Sequence, residues 1–150
     1  MPVLITFGRI LFAVLFIFSG AAKLLNLAAT AQMTEKIVIP AALATYTSQL
    51  EGMTGMPMPQ MLAIAAGALE LICGIMIALN FGARFFAIVL MLFVIAATFY
   101  YHDFWNQTGA DATNNLIHAL KNLSIIGALF MIAGYRRMSH GVESAYSGDV

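Results

Sequence analysis

Charged residues are scarce in this sequence. Asp, Glu, Lys and Arg make up 9% of its 150 residues, hydrophobic residues make up 61%, and the mean hydropathy is +0.88. Soluble domains carry about 25% charged residues, so this composition predicts an integral membrane protein. The formal net charge is zero and the sequence has no basic cluster, which argues against nucleic acid as a partner.

Cysteine is nearly absent as well. The single cysteine, Cys73, lies inside an apolar run, which excludes a disulfide within one chain, a CxxC redox pair and a cysteine-based zinc site. The sequence also lacks a flavin or nicotinamide fingerprint and an obvious pair of haem ligands. We therefore expect no covalently bound cofactor.

Four apolar segments reach the roughly 20 residues that a helix needs to cross a bilayer. They cover about residues 3–27, 58–79, 82–101 and 116–135. The predicted fold class is all-α, an integral membrane four-helix bundle in which residues 1–137 form a single transmembrane domain. Residues 138–150 are predicted to form a polar C-terminal tail.

The first apolar segment also resembles a secretory signal peptide, because Arg9 precedes it and small residues follow at Ala29-Thr30-Ala31. The apolar stretch continues to Leu27, which is long for such a peptide. This length favours a retained transmembrane helix.

The connections between the segments differ in character. Asn80-Phe81-Gly82 predicts a tight turn between the second and third helices, because Asn and Gly tolerate turn geometry. Residues 28–57 are too long for a structureless loop in so small a domain. Their mildly amphipathic pattern predicts short interfacial helices that cap one end of the bundle.

An even number of spans places both termini on the same side of the membrane. That side carries more arginine in or beside its segments, at positions 9, 84, 136 and 137, whereas the opposite loops contain only Lys36. The positive-inside rule therefore predicts cytoplasmic termini, with residues 28–57 and 102–115 outside.

Glu70 is an isolated carboxylate in the middle of the second segment. Because a charge at that depth costs several kcal/mol, it should face protein and have a partner. If the helices share a common cytoplasmic boundary, Arg9 and Lys121 lie within reach of Glu70, and Lys23 lies too far outward. The sequence thus predicts an Arg9–Glu70 ion pair, with Lys121 as the alternative; such a pair could simply fix the helix register.

The remaining polar groups give the outer half of the bundle a surplus of positive charge. Lys23, His102, Lys121 and Asn122 are the candidate ligand-binding residues, and they suit a small anion, a quinone carbonyl or a lipid phosphate. Lys23, His102 and Lys121 are expected to converge in one pocket in that half. The ordinary alternative is that the lysines extend to the headgroups.

A weaker metal signal occurs on the predicted outer side. Met53, Met56, Met58 and Met61 form an MxxMxMxxM pattern, and clustered thioethers can select Cu(I). Flexible methionines more often pack a loop, so no metal site is assigned.

Short motifs occur in order over about residues 5–135. They are Gly8-Arg9, Phe18-Ser19-Gly20 with Lys23, Ala68-Leu69-Glu70-Leu71 with Gly74, Gly82-Ala83-Arg84, Ala97-Thr98 with His102 and Trp105, and Lys121-Asn122-Leu123 running to Gly127. With these motifs the chain resembles the DoxX family of small four-helix membrane proteins. The resemblance places the family's polar signature on Arg9, Lys23, Glu70, His102 and Lys121.

The DoxX family takes its name from a membrane subunit of an archaeal thiosulfate:quinone oxidoreductase, and other members resemble accessory components of membrane redox or oxidative-stress assemblies. The resemblance implies an accessory or quinone-linked subunit in a prokaryotic inner membrane, with quinone as the implied cofactor. Its partners would be membrane lipids and other membrane or periplasmic redox subunits. Two alternatives stay open: a binding or carrier module for a small anion or lipid, and a purely structural subunit. Whether the chain has catalytic activity of its own also stays open.

Overall fold

The computed structural model describes residues 2–135, and no strand occurs in that range. The six α-helices are α1 (Pro2–Leu25), α2 (Leu27–Thr34), α3 (Ala44–Thr54), α4 (Met58–Ala78), α5 (Ala83–Tyr101) and α6 (Gly109–Gly134). Short 3-10 turns at Ala41–Leu43 and Phe104–Asn106 precede α3 and α6. The predicted polar tail, Arg136 and Arg137 lie outside the described residues.

Helices α1, α4, α5 and α6 are each long and apolar enough to cross a membrane. This confirms the predicted all-α membrane bundle. Helix α6 begins at Gly109, earlier than the predicted apolar boundary at residue 116, because the polar segment before Leu116 is also helical. Asp111 in its first turn favours this early start, since a negative charge near a helix N-terminus interacts well with the helix dipole.

The connection between α1 and α4 contains the two short helices α2 and α3, as the sequence predicts. Helix α2 is joined to the start of α4, because the buried Thr34 hydroxyl donates a 2.6 Å hydrogen bond to the Pro59 carbonyl. Helix α3 buries no residue. It ends at Gly55, whose positive φ of 67° permits the reversal into α4.

The turn between α4 and α5 has the predicted tight geometry. Asn80 and Gly82 both adopt left-handed backbone conformations, with φ of 58° and 57°. These are two of the few residue types that enter this region at low cost. The turn fixes α4 and α5 as antiparallel neighbours.

The four spans pack in chain order: α1 lies against α4, α4 against α5 and α5 against α6. A buried core joins them, formed by Ala13, Phe16, Cys73, Ile77, Ala87, Leu90, Met91, Val94 and Leu129. Leu129 is the only buried residue that α6 contributes in the described range. Since α6 is held mainly by α5, a space remains between α1 and α6. We call it the α1–α6 groove; it is lined by Phe12 on α1 and by Ala128 and Ile132 on α6.

Candidate functional site

An ion pair lies between α1 and α4 inside the apolar bundle. The Lys23 ammonium lies 2.8 Å from Glu70 Oε2 and also donates a 2.6 Å hydrogen bond to the Ser19 hydroxyl. Glu70 is 5% exposed, whereas the Lys23 side chain keeps 30% of its surface. Ser19 and Lys23 are four residues apart and therefore share one face of α1. The buried carboxylate is thus charge-paired, which offsets the cost of its burial.

This pairing corrects the sequence-based prediction, because Glu70 binds Lys23 and not Arg9 or Lys121. The reason is the axial offset of α1 relative to α4. A Cβ on Gly20 would lie 2.6 Å from both the Gly67 carbonyl oxygen and the Leu71 amide nitrogen, so Gly20 lies at the level of Glu70. Lys23 is then about one turn away, whereas Arg9 is about 11 residues or roughly 16 Å away along the helix.

The same offset means that α1 extends past the end of α4. Gly74 lies against Ala13 and Ile17, so the last residue of α4, Ala78, reaches about the level of Phe12. Roughly ten residues of α1, on the order of 15 Å, continue beyond it. The sequence-based prediction assumed that α1 begins and α4 ends at a common membrane boundary, and this assumption was wrong.

Glycines produce the close approach of α1 and α4. Besides the contacts of Gly20, a Cβ on Gly67 would lie 2.9 Å from the Leu24 side chain, and one on Gly74 would lie 2.9 Å from the Ile17 side chain. All three glycines are buried. Small residues at such an interface allow helix backbones to pack closely in a membrane. This close packing brings the lysine stem of α1 to the carboxylate of α4.

A second polar cluster joins the end of α5 to the first half of α6. The imidazole rings of His102 and His118 stack with their centres 5.1 Å apart and an interplanar angle of 10°. His102 Nδ1 lies 3.1 Å from the Asn115 side-chain oxygen; this oxygen can only accept, so Nδ1 carries a proton. One turn below, Asn122 donates a 2.9 Å hydrogen bond to the Thr98 hydroxyl.

The loop before α6 continues this hydrogen-bond network. The Asn115 amide donates to Gln107 at 2.6 Å, and the Gln107 amide donates to the Asp103 carboxylate at 2.6 Å. Sequence analysis did not single out Asn115 or Gln107; the only signal was the polar composition of residues 102–115. The network fixes the ring of His102 at the end of α5.

The four candidate ligand-binding residues do not form one shared pocket. His102 and Asn122 belong to the α5–α6 cluster, Lys23 is bound to Glu70 between α1 and α4, and Lys121 is exposed on α6. The predicted convergence on the outer half is therefore corrected. Lys121 has no salt bridge or side-chain hydrogen bond within residues 2–135.

The four methionines at positions 53, 56, 58 and 61 lie around the junction of α3 and α4. Met53 is 84% exposed, and Met61 accepts a 3.3 Å hydrogen bond on its sulfur from the Thr54 hydroxyl. Over the described range, no group of three or more His, Cys, Asp or Glu side chains is placed to hold a metal ion. Copper binding by these methionines, for which the sequence analysis assigned no site, stays untested.

Four membrane-length helices around an internal Lys–Glu pair define a small polytopic membrane protein. The DoxX family model matches residues 4–103, which run from the first turn of α1 to just past the end of α5. The inner membrane protein YphA of Escherichia coli (strain K12) is 30% identical over 132 residues, covering 88% of this chain and 82% of that protein. The chain belongs to the DoxX family. No solved structure shows significant similarity to it.

Proposed function

We propose that this protein is an accessory membrane subunit of a redox assembly in a prokaryotic inner membrane. Its membership of the DoxX family supports this, because the family takes its name from a membrane subunit of an oxidoreductase. Its relative YphA is an inner membrane protein. Family membership supports a redox assembly as the setting. Helix α6 provides the surface through which this chain would join that assembly.

The position of Lys121 on α6 is the observation that carries the proposal. Ala128 and Ile132 follow Lys121 by seven and eleven residues, so all three lie within about 20° of one stripe at 100° per residue. Ala128 and Ile132 line the α1–α6 groove, whereas Lys121 on the same stripe is exposed. The groove-lining stripe of α6 therefore ends in an uncovered ammonium group.

An uncovered charge on that stripe favours a protein partner. Lys121 lies five residues past Leu116, about 7–8 Å below the start of the apolar segment, and a charge at membrane depth requires an interacting group. We infer that a membrane segment of another subunit, carrying an acidic or carbonyl group, packs along α6 at this level. The quinone implied by the resemblance would bind at that contact, because Lys23 is already held by Glu70.

The Lys23–Glu70 pair has a structural role in this proposal. It is hydrogen-bonded, buried on the carboxylate side and held between closely packed helices. Such a pair fixes the register of α1 on α4. The carrier alternative is less well supported, because it needs Lys23 to be available to a ligand.

Replacing Lys121 tests the proposal. When the tagged wild-type protein is purified from its native membranes in mild detergent, we expect a polypeptide with flavin, haem or iron–sulfur absorbance to copurify. Lys121→Gln removes the charge and keeps much of the length, so recovery of that polypeptide should fall about tenfold or more, as for a desolvated charge that loses its partner. Expression should be little changed.

Lys36→Gln is the matched control, because Lys36 is exposed in the loop after α2 and the substitution changes net charge equally. It should leave copurification unchanged. Equal losses in both variants, or a wild-type protein that brings down no cofactor-bearing polypeptide, would contradict the proposal.

The orientation is a further part of the proposal. With cytoplasmic termini, topology reporters fused after residues 55 and 110 should both register on the periplasmic side. A reporter fused after residue 80, in the α4–α5 turn, should register in the cytoplasm. Reporters at 55 and 110 on different sides would show that the number of crossing helices between them is wrong.

A further inference from the structure

A cavity of about 970 Å³ occupies the end of the α1–α6 groove nearest the start of α1 and the end of α6. Its walls come from the first half of α1, the α4–α5 turn and the last turns of α6. The residues that matter for its chemistry are Arg9, Phe12, Arg84, Met131, Ile132 and Tyr135. Two guanidinium groups thus border a mainly apolar space.

Arg9 is one of the residues that line this cavity. Its Nε is buried and has no hydrogen-bond partner among the described residues. A guanidinium group has five N–H donors and no acceptor, and a buried donor without a partner is costly. This is the reverse of Lys23, whose ammonium is bound by both Glu70 and Ser19. Nε itself is enclosed by protein, but no hydrogen bond to a described residue occupies the other donors of this guanidinium group, so an acceptor in the cavity can pair with them.

Arg84 adds a second cation at the same cavity. Its Nε donates a 2.8 Å hydrogen bond to the carbonyl of Ala133 in the last turn of α6, which holds the side chain beside the helix end. The remaining donors of its guanidinium are not needed for this contact. Among residues 2–135, no acidic side chain lines the cavity, so the charge of this lining is positive.

The level of the cavity indicates the kind of ligand. Because α1 extends past α4, Arg9 lies near the α4–α5 turn and shares the cavity with Asn80 and Gly82. That turn marks the end of two membrane-length helices, so the arginines lie near the headgroup region. Phe12 and Ile132 lie on the bundle side, where an apolar chain would extend.

We propose that this cavity binds the phosphate group of an anionic membrane phospholipid, with an acyl chain in the α1–α6 groove. Arginine pairs with phosphate through charge-assisted, often bidentate hydrogen bonds, and basic pockets between transmembrane helices bind anionic headgroups. The apolar walls favour a lipid over free phosphate. The site is independent of whether the assembly is a redox system.

Native mass spectrometry of the delipidated full-length protein tests the site. One molecule of phosphatidylglycerol should bind per chain when a small amount of this lipid is added to the detergent micelles. Phosphatidylcholine and inorganic phosphate should bind far more weakly. Arg9→Gln should weaken phosphatidylglycerol binding about tenfold or more, the effect of a lost charge-assisted hydrogen bond. Lys36→Gln, with the same change in charge, should leave it unchanged.

A second variant keeps the test decisive if Arg9→Gln does not fold. Met131 lines the cavity and is 73% exposed, so Met131→Trp should fill part of the space with little effect on folding, and it should weaken lipid binding without any change in charge. Equal lipid binding by the wild type and Met131→Trp would overturn the site. Competition by inorganic phosphate as strong as by the lipid would show an anion site without lipid specificity and would also overturn the proposal.

Discussion

Glu70→Ala should lower the thermal stability of the detergent-purified protein far more than Glu35→Ala. The substitution leaves the Lys23 ammonium without its partner between closely packed helices. Breaking a fully buried pair costs about 3–5 kcal/mol. Because the Lys23 side chain keeps 30% of its surface exposed, solvent screens part of this interaction. We therefore expect Glu70→Ala to lower the free energy of unfolding by about 2–3 kcal/mol. Glu35 is exposed, so its replacement should have little effect.

A double substitution separates the charge from the packing. Lys23→Met with Glu70→Met removes both charges and keeps unbranched side chains of similar length, so it should recover much of the stability that either single variant loses. Such recovery is expected because replacing a buried ion pair by apolar groups is often neutral. Additive losses in the double variant would show that the two residues do not interact.

Gly20→Ala should be the most destabilising glycine-to-alanine substitution in the described part of the chain. The new methyl group would lie 2.6 Å from two backbone atoms of α4, those of Gly67 and Leu71. Backbone atoms cannot rotate away as a flexible side chain can, so α1 and α4 must separate. Overpacking of this kind costs about 1–3 kcal/mol, and we expect the upper part of that range.

Gly127→Ala is the matched control on α6, because a Cβ there meets nothing within 4 Å. Alanine is the better helix former by up to about 1 kcal/mol, so this variant should be neutral or more stable. Thermal unfolding followed by circular dichroism in one detergent measures both variants. Equal changes in the two would contradict the close α1–α4 contact at Gly20.

The apolar runs and the Asn80–Gly82 turn were enough to predict four spans, because bilayer length and left-handed turn residues are local properties of the chain. The partner of Glu70 was not predictable in the same way. Helical spacing indicates which residues share a face, but it does not fix how far one helix slides along another. Here that offset follows from the contacts of Gly20 and Gly74, which depend on two distant segments meeting.

The surroundings of Lys121 also could not be predicted from the sequence alone. Its depth follows from counting residues past Leu116, but its exposure depends on α6 being held mainly by α5. The same applies to Arg9, which the sequence placed inside the bundle. Its position at the cavity reflects the length of α1 beyond α4, which no local pattern encodes.

Site-specific photocrosslinking in native membranes tests most directly whether α6 contacts a partner subunit. Ser124 is exposed one turn after Lys121, and Phe130, which is 63% exposed, lies nine residues after Lys121 and so about 180° around the helix. A photoreactive side chain at position 124 should capture a cofactor-bearing membrane polypeptide, and this capture should be lost when Lys121→Gln is added. The same probe at position 130 should capture only lipid. Lipid adducts alone at both positions, or the same polypeptide at both, would contradict a subunit contact through the Lys121 side of α6.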